Sequence, residues 1–420
     1  MTAPPATERP VVLELPEAGT GQRAARRRQS NKRRVLRKIG FAVSMVVLIC
    51  AIPVLATIGY RSLRDTTAGR RIDAQNDPTK PRYEADVVPT PVSLVVETGA
   101  DGSLQGLTVL VLGNNDTGGA VVFIPVATVA PREDGTLGTL TSTLTTGDLP
   151  KLAQATANLM GLSFDQTIVM GPQQWQQFVN PVAPLTVNNP DRIVNVDSRG
   201  RSTTLFATGP LQLNADAVST YLQARNPTES DLAHLNRKQV LWTAWLAAIK
   251  ASAKPDAVPG ETTSGIGRYL HGLAAGTADI STLPVKAQAP VGKDESFVAD
   301  PAATAALVAR EVPLPTPANP GDRTRVRLLS GTGPVGSPNV VAGKIVAAGG
   351  EVTILGNADN FNYADTLIIY YDDQFATAAA KLRDSLGLGQ VQKSTTETDT
   401  EDITLILGRD ATAKFGGTGG

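Results

Sequence analysis

Residues 39–60, IGFAVSMVVLICAIPVLATIGY, form a run of 22 positions without one charged side chain. At about 1.5 Å of rise per residue a helix of that length covers roughly 33 Å, enough for a hydrocarbon core about 30 Å thick. Pro53 falls inside the run, which a helix in lipid tolerates because its alternatives are worse. A buried helix of a soluble core would show an amphipathic face, and none interrupts these residues. The run predicts a membrane span, and it divides the rest of the chain into a short amino-terminal side and a long carboxyl-terminal side.

The two sides differ in charge. The chain holds 39 basic and 39 acidic residues, yet residues 1–38 carry ten basic side chains against Glu8, Glu14 and Glu17. Nine of the ten lie in 23–38, RAARRRQSNKRRVLRK, directly against the span, while Arg61, Arg64, Arg70 and Arg71 lie just beyond it. That bias predicts a cytoplasmic amino terminus and an extracytoplasmic carboxyl portion, and it reads the basic run as an orientation signal rather than a nucleic-acid patch. A cleaved signal peptide is the competing reading; the long leader, the long apolar run and the absence of an A-x-A site favour an uncleaved anchor. The juxtamembrane arginines can also touch anionic lipid headgroups, at about 1 kcal/mol each. The carboxyl portion is net acidic, which argues against nucleic acid as its partner. The sole cysteine, Cys50, sits in the span, so the folded part has no disulfide, cysteine zinc site or thiol nucleophile, and His234 and His271 are too few for a histidine-rich metal site.

The expected organisation is a disordered basic tail at 1–38, the span, a proline-punctuated stalk at 61–91, a first domain at 92–311, a linker at 312–322 (VPLPTPANPGD), a second domain at 323–413 and a flexible tail at 414–420. In the first domain, strands are predicted at 92–97, 107–112, 120–124 and 167–170. Helices are predicted at 148–160, begun by Pro150 and stopped by Gly161, and at 172–179, carrying Trp175 and Phe178 inward. The segment 113–119 reads as a turn and 188–204 as an antiparallel excursion, and the alternation of strands with helices indicates a mixed α/β sheet. Short helices at 266–273 and 302–308 complete the domain.

The most informative stretch is 209–250, GPLQLNADAVSTYLQARNPTESDLAHLNRKQVLWTAWLAAIK. Asn214 is expected to cap one helix and Pro227 to break it; a second helix then spans 230–250 with Leu232, Leu235, Val240, Leu241, Trp245 and Ile249 inward. Asp231 falls in its first turn, where the macrodipole favours an anion. Arg225, Asp231 and Arg237 therefore meet at a helix junction, either as a structural ion-pair network or as a cationic lip for a phosphate-bearing ligand.

The second domain reads βαββαβ: a strand at 326–329, a helix from a cap at Ser337 to 348, strands at 351–355 and 366–371, a helix at 373–386 and a strand at 403–407, an order that suits a split βαβ sandwich. Residues 331–336, GTGPVG, match the G-x-G-x-x-G dinucleotide fingerprint. Glu351 opens the next strand instead of closing it and the βα units are too few for a doubly wound sheet, so NAD is not expected.

The order of a T-V-L-V-L strand, an I-P strand end, an F-D-Q-T-I-V strand, L-N-A-D-A-V-S-T-Y-L-Q-A-R and D-L-A-H-L-N-R-K-Q-V-L resembles the LytR-CpsA-Psr family over about 91–313. Members are single-span envelope proteins that transfer polyprenyl-pyrophosphate-linked glycopolymers onto peptidoglycan. In the family pattern Y-x-R-x-R, Arg225 matches the second arginine and Gln223 stands at the first. In D-x-x-R-x-x-R-Q-Q, Asp231, Arg237 and Gln239 match, while His234 and Lys238 replace an arginine and a glutamine. Asp101 stands for the acid ahead of T-V-L-V-L, but the family's P-R-D is here Pro125-Val126-Ala127. Those charges hold magnesium and pyrophosphate in the family, where electrostatic stabilisation is most of the catalysis. The resemblance therefore implies a degenerate, non-catalytic relative, with no catalytic residue and no cofactor assigned. Its expected ligand residues are Arg225, Asp231, Arg237, Gln239 and Asp101, and its expected partners are membrane lipid and a cell-wall glycopolymer or its polyprenyl-phosphate carrier. The alternative is an active phosphotransferase using magnesium, with other residues supplying the missing charges. A transcription attenuator would need an internal DNA-binding fold, which 1–38 is too short to contain. In the second domain V-R-L-L-S-G-T-G, V-T-I-L-G-N-A, T-L-I-I-Y-Y and D-I-T-L-I-L-G-R-D resemble the LytR carboxyl-terminal domain, for which lipid or cell-wall binding is implied.

Overall fold

Nine residues, LQGLTVLVL, build the strand on which the first domain is centred, and every second one faces the same way. The computed structural model describes residues 77–131, 136–144, 148–252, 254, 256–260, 262–290, 295–336, 338–396 and 400–416. The expected span at 39–60, the basic run before it, the cap position 337 and residues 417–420 lie outside these. Among the described residues no helix is long and apolar enough to cross a membrane.

The first domain is a five-stranded mixed sheet made of β1 (Val92–Thr98), β2 (Leu104–Leu112), β3 (Gly119–Ile124), β4 (Gln166–Met170) and β5 (Ala278–Thr282), in the spatial order β5-β3-β2-β1-β4. β1, β2 and β3 pair antiparallel in succession, and the outer strands β4 and β5 add in parallel. Both faces are covered, so the central strands read as continuous apolar runs rather than as alternation. Leu94, Val96, Val109 and Val122 pack on one face against α1 (Leu149–Met160) and, from later in the chain, the helix Pro301–Glu311. Val95, Leu110, Val121 and Phe123 face the helices α2 (Pro172–Val179), α3 (Ala215–Gln223), α4 (Asp231–Ala251) and α5 (Gly265–Ala275). Asp148 caps α1 by accepting from the Lys151 amide, and Gly161 closes it in the left-handed conformation. The expected excursion is two antiparallel pairs, Leu185–Asn189 with Gly209–Leu213 and Ile193–Val196 with Ser202–Phe206.

Two details of α4 differ from expectation. Leu232 is not inward but 37% exposed, whereas Trp242 is fully buried. The buried stripe carries Asp231, His234, Arg237 and Lys238 alongside Leu235 in its first two turns and is wholly apolar only beyond them, so apolar spacing misreads where the stripe lies. Asn214 does occupy the N-cap position of α3, but its side chain makes no capping bond.

The second domain is built on β6 (Thr324–Ser330), β7 (Gly350–Asn357), β8 (Leu367–Tyr370), β9 (Gln390–Lys393) and β10 (Ile403–Leu407), with α6 (Pro301–Glu311) packing from the first domain onto α7 (Asn339–Ala347). The helix α8 (Ala376–Leu386) lies between β8 and β9, and a short helix α9 (Arg409–Phe415) ends the described chain. The βαββαβ order is present with two elements beyond the sequence expectation, β9 and α9. A sixth strand comes from residues expected in the stalk: Glu84–Asp86 pairs antiparallel with β7. The sheet order is therefore Glu84–Asp86, β7, β6, β10, β8, β9. Within the GTGPVG segment, a side chain on Gly331 would meet the Leu407 carbonyl oxygen and Tyr363 at 2.8 Å, which is why that position tolerates only hydrogen.

The domains meet closely. A Cβ on Gly343 of α7 would lie 2.8 Å from the Ala309 carbonyl oxygen of α6. In the linker, Leu314 and Thr90 exchange hydrogen bonds, the Thr90 amide donating to the Leu314 carbonyl at 2.9 Å and the Leu314 amide to Thr90 Oγ1 at 3.1 Å.

Candidate functional site

The end of β1 and the start of α4 bring the sequence-nominated charges together. On β1, Glu97 lies two residues beyond Val95, so it faces the helices on α4's side of the sheet. Lys238 reaches down from the second turn of α4 and donates to Glu97 Oε2 and to the Gln105 carbonyl, both at 2.8 Å. Thr108 Oγ1 donates to the other carboxylate oxygen at 3.2 Å. Lys238 and Glu97 are only 1% and 2% exposed.

The preceding residue, Arg237, is completely buried and pairs with Glu229, while its Nη1 donates to the Ala224 carbonyl at 2.5 Å. Arg225 Nη2 donates to Asp231 Oδ1 at 2.7 Å, and Asp231 Oδ2 accepts from the Ala127 amide at 3.2 Å. Ala127 closes the Pro125-Val126-Ala127 segment, so a backbone amide meets the acid there. Glu295 accepts from the Asp231 amide at 2.8 Å. His234 lies in the middle. Arg237 Nη2 sits 3.3 Å from His234 Nδ1, and a guanidinium can only donate, so that ring nitrogen accepts. Burial, and then the nearby charges of Lys238, Arg225 and Arg237, pulls the imidazole far below its ordinary range and keeps it neutral.

Of the five nominated residues, Arg225, Asp231 and Arg237 thus share one cluster. Gln239 points elsewhere, its amide donating to Thr282 Oγ1 at 2.8 Å on the sheet's edge strand. Asp101 belongs to an exposed turn and accepts from the Ser103 amide and hydroxyl at 3.0 and 2.6 Å, which holds its carboxyl below the usual range. Sequence reasoning missed the acids that complete the cluster, Glu97, Glu229 and Glu295. Only Glu97 carried a signal, since it continues an apolar strand at a core-facing position.

Beyond Lys238 the same helix turns aromatic. Trp242 and Trp245 pack against each other and against Trp175 of α2, with ring centroids 5.2, 6.0 and 5.4 Å apart, and Phe123 of β3 approaches Trp242 at 6.4 Å. Edge-on aromatic contacts of this kind add about 0.5–1.5 kcal/mol each beyond area burial. These rings fill the space between α4, α2 and the sheet. The carboxylates do not suit magnesium: Asp231 and Glu229 are spent on arginine and backbone amides, and among the described residues no three His, Cys, Asp or Glu side chains are grouped to hold a metal ion.

Residues 323–410 match the family model described as LytR cell envelope-related transcriptional attenuator. No curated protein matches the chain at a significant level. Among solved structures, the Lin1025 protein from Listeria innocua is 17% identical and has a TM-score of 0.38, the match covering 53% of this chain and 97% of that one. B. subtilis TagT is 15% identical with a TM-score of 0.40, covering 50% and 85%. A LytR-Csp2A-Psr enzyme from Actinomyces oris is 14% identical with a TM-score of 0.41, covering 56% and 96%. TagT has also been solved bound to LIIa-WTA. The resemblance read from the sequence in the second domain is met by the match of residues 323–410 to the LytR family model.

Proposed function

We propose that this chain is a single-pass envelope protein, amino terminus inside, that binds or organises cell-wall glycopolymer or its polyprenyl-phosphate carrier without transferring it. The match of the second domain to a cell envelope-related family supports the setting. One observation carries the non-catalytic reading: among the described residues, the three cations at the would-be reaction centre are each closed on a protein carboxylate, Arg225 on Asp231, Arg237 on Glu229 and Lys238 on Glu97. Phosphoryl transfer needs positive charge held opposite the charge that develops on the leaving pyrophosphate. Here a pyrophosphate would have to displace Glu229 from a guanidinium that is completely buried, leaving an uncompensated carboxylate at a cost of about 3–5 kcal/mol.

The test is a pyrophosphatase and transfer assay on the full-length protein, with magnesium and an undecaprenyl-pyrophosphate-linked donor. The expected result is donor that remains intact over hours. Magnesium-dependent turnover that disappears in Arg237→Ala would establish the alternative, an active phosphotransferase attaching glycopolymer to peptidoglycan.

A further inference from the structure

At the opposite end of β2 from the charge cluster, roughly 20 Å away along the strand, the two domains enclose a cleft of about 910 Å³. Its walls come from the turn after β2, from α5 and α6, from the extended residues 88–91 and from α7 of the second domain. We propose that this cleft binds a neutral oligosaccharide of two or three sugar rings. The volume lies in the range of well-formed small-molecule sites, about 300–1,000 Å³.

The lining decides the ligand class. Its charges are largely compensated within the protein. Arg268 makes a two-pronged pair with Asp116, at 2.7 and 2.9 Å, and Arg310 is shared between Glu311 and Asp279. A phosphate entering here would meet the carboxylates of Asp116 and Glu311, and only Lys344, exposed to solvent and so of little electrostatic worth, would offer it a cation without breaking one of those pairs. An apolar ligand would leave the amides of Asn115 and Asn339 facing hydrocarbon. A sugar meets neither objection. Its adjacent hydroxyls both donate and accept, matching amide and carboxylate groups, and its C–H faces suit the small and apolar wall formed by Ala306, Ala309, Gly343 and Val340. Val340 is 55% exposed, an apolar side chain presented at this face.

The turn that presents the polar groups is held in an unusual conformation. Asn115 and Asp116 are consecutive non-glycine residues with φ of 54° and 53°, each of which costs about 1 kcal/mol or more. The surroundings impose it: Arg268 grips the Asp116 carboxylate, and the Gly118 amide donates to the Gly272 carbonyl at 2.8 Å. A Cβ on Gly272 would lie 2.5 Å from the Asp116 carbonyl oxygen, so α5 approaches the turn as closely as a glycine allows. Because the cleft and the charge cluster occupy different ends of the sheet, this inference does not rest on the non-catalytic reading.

The experiment is saturation-transfer NMR on the full-length protein, in a detergent without a sugar headgroup, with chitotriose, cellotriose and maltotriose as probes and inorganic phosphate as competitor. At least one trisaccharide should bind, phosphate should leave it in place, and the double variant Asn115→Gly/Asn339→Ala should weaken it about tenfold or more, by loss of two polar contacts. Glycine at 115 keeps the left-handed backbone. Val340→Trp, at an exposed position, obstructs the cleft independently and should also abolish binding. Failure of all three sugars to bind, binding unchanged in both variants, or displacement by phosphate overturns the proposal.

Discussion

Lys238 Nζ lies 2.8 Å from Glu97 Oε2 and fits only because the residue opposite Glu97 on the neighbouring strand is Gly106: a Cβ there would stand 1.9 Å from the ammonium nitrogen. A buried pair of this kind is worth little compared with two well-packed apolar residues, but breaking it from one side leaves a charge with no water and no partner. Lys238→Met should therefore destabilise the protein by about 3–5 kcal/mol, while Lys238→Met combined with Glu97→Leu should recover most of the loss. Urea denaturation of the two variants measures the difference. Gly106→Ala should be destabilising as well, since the ammonium cannot withdraw without losing both acceptors.

Acid should unfold the protein through His234. The imidazole is neutral and buried in the folded chain, whereas in the unfolded chain it titrates near its ordinary value of about 6.5. The unfolded state thus binds the extra proton first. The stabilisation is fully present above about pH 6.5 and is lost as pH falls below it, at up to about 1.4 kcal/mol for each pH unit. Urea midpoints at pH 7.5 and 5.0 should differ by more in the native protein than in His234→Gln, which cannot take up that proton.

Arg323 ties the two domains through backbone rather than through an acid. Its Nη2 and Nε donate to the Gly161 carbonyl at 3.1 and 3.3 Å, just past the end of α1, and its Nη1 reaches the carbonyls of Val346 and Gly350 at 3.4 Å. A cation at two helix carboxyl ends also meets the negative ends of their dipoles. Arg323→Ala should cost about 1.5–3 kcal/mol and Arg323→Lys should restore little, because an ammonium cannot span both sites. Thermal unfolding gives the cost, and faster protease cleavage within 312–322 would report the loosened joint.

Asn357 should control the strand borrowed from the expected stalk. It is buried, and its amide donates to the carbonyls of Pro78 and Lys80 at 2.8 and 2.7 Å, while Arg327 pairs with Glu84. Asn357→Ala removes both of these bonds, together with the one its Oδ1 accepts from the Val335 amide at 2.7 Å, and should speed amide exchange in 84–86 about tenfold or more, with little change at β6. Hydrogen-exchange mass spectrometry distinguishes this local opening from global unfolding.

The elements legible in the sequence are those with a local cause. Asp148, Pro150 and Gly161 start and stop α1 within their own neighbourhood, and the apolar runs of β1, β2 and β3 declare strands buried on both faces. α9 and β9 are not legible, because at seven and four residues each is too short to show a period. The charge cluster is half legible. Arg225, Asp231 and Arg237 share one helix junction, but Glu97 lies 141 residues before Lys238, and no spacing rule connects them.

The sequence by itself determined a mixed α/β chain, a charge asymmetry about an apolar run, and a group of cations gathered at one helix junction. Only the tertiary structure decided whether those cations are free. Charge neutralisation depends on which carboxylates the sheet register and helix packing bring within about 3 Å, and those acids are far apart along the chain. The same holds for the cleft between the domains: its walls come from segments far apart in the chain, among them two helices that Gly343 lets approach closely.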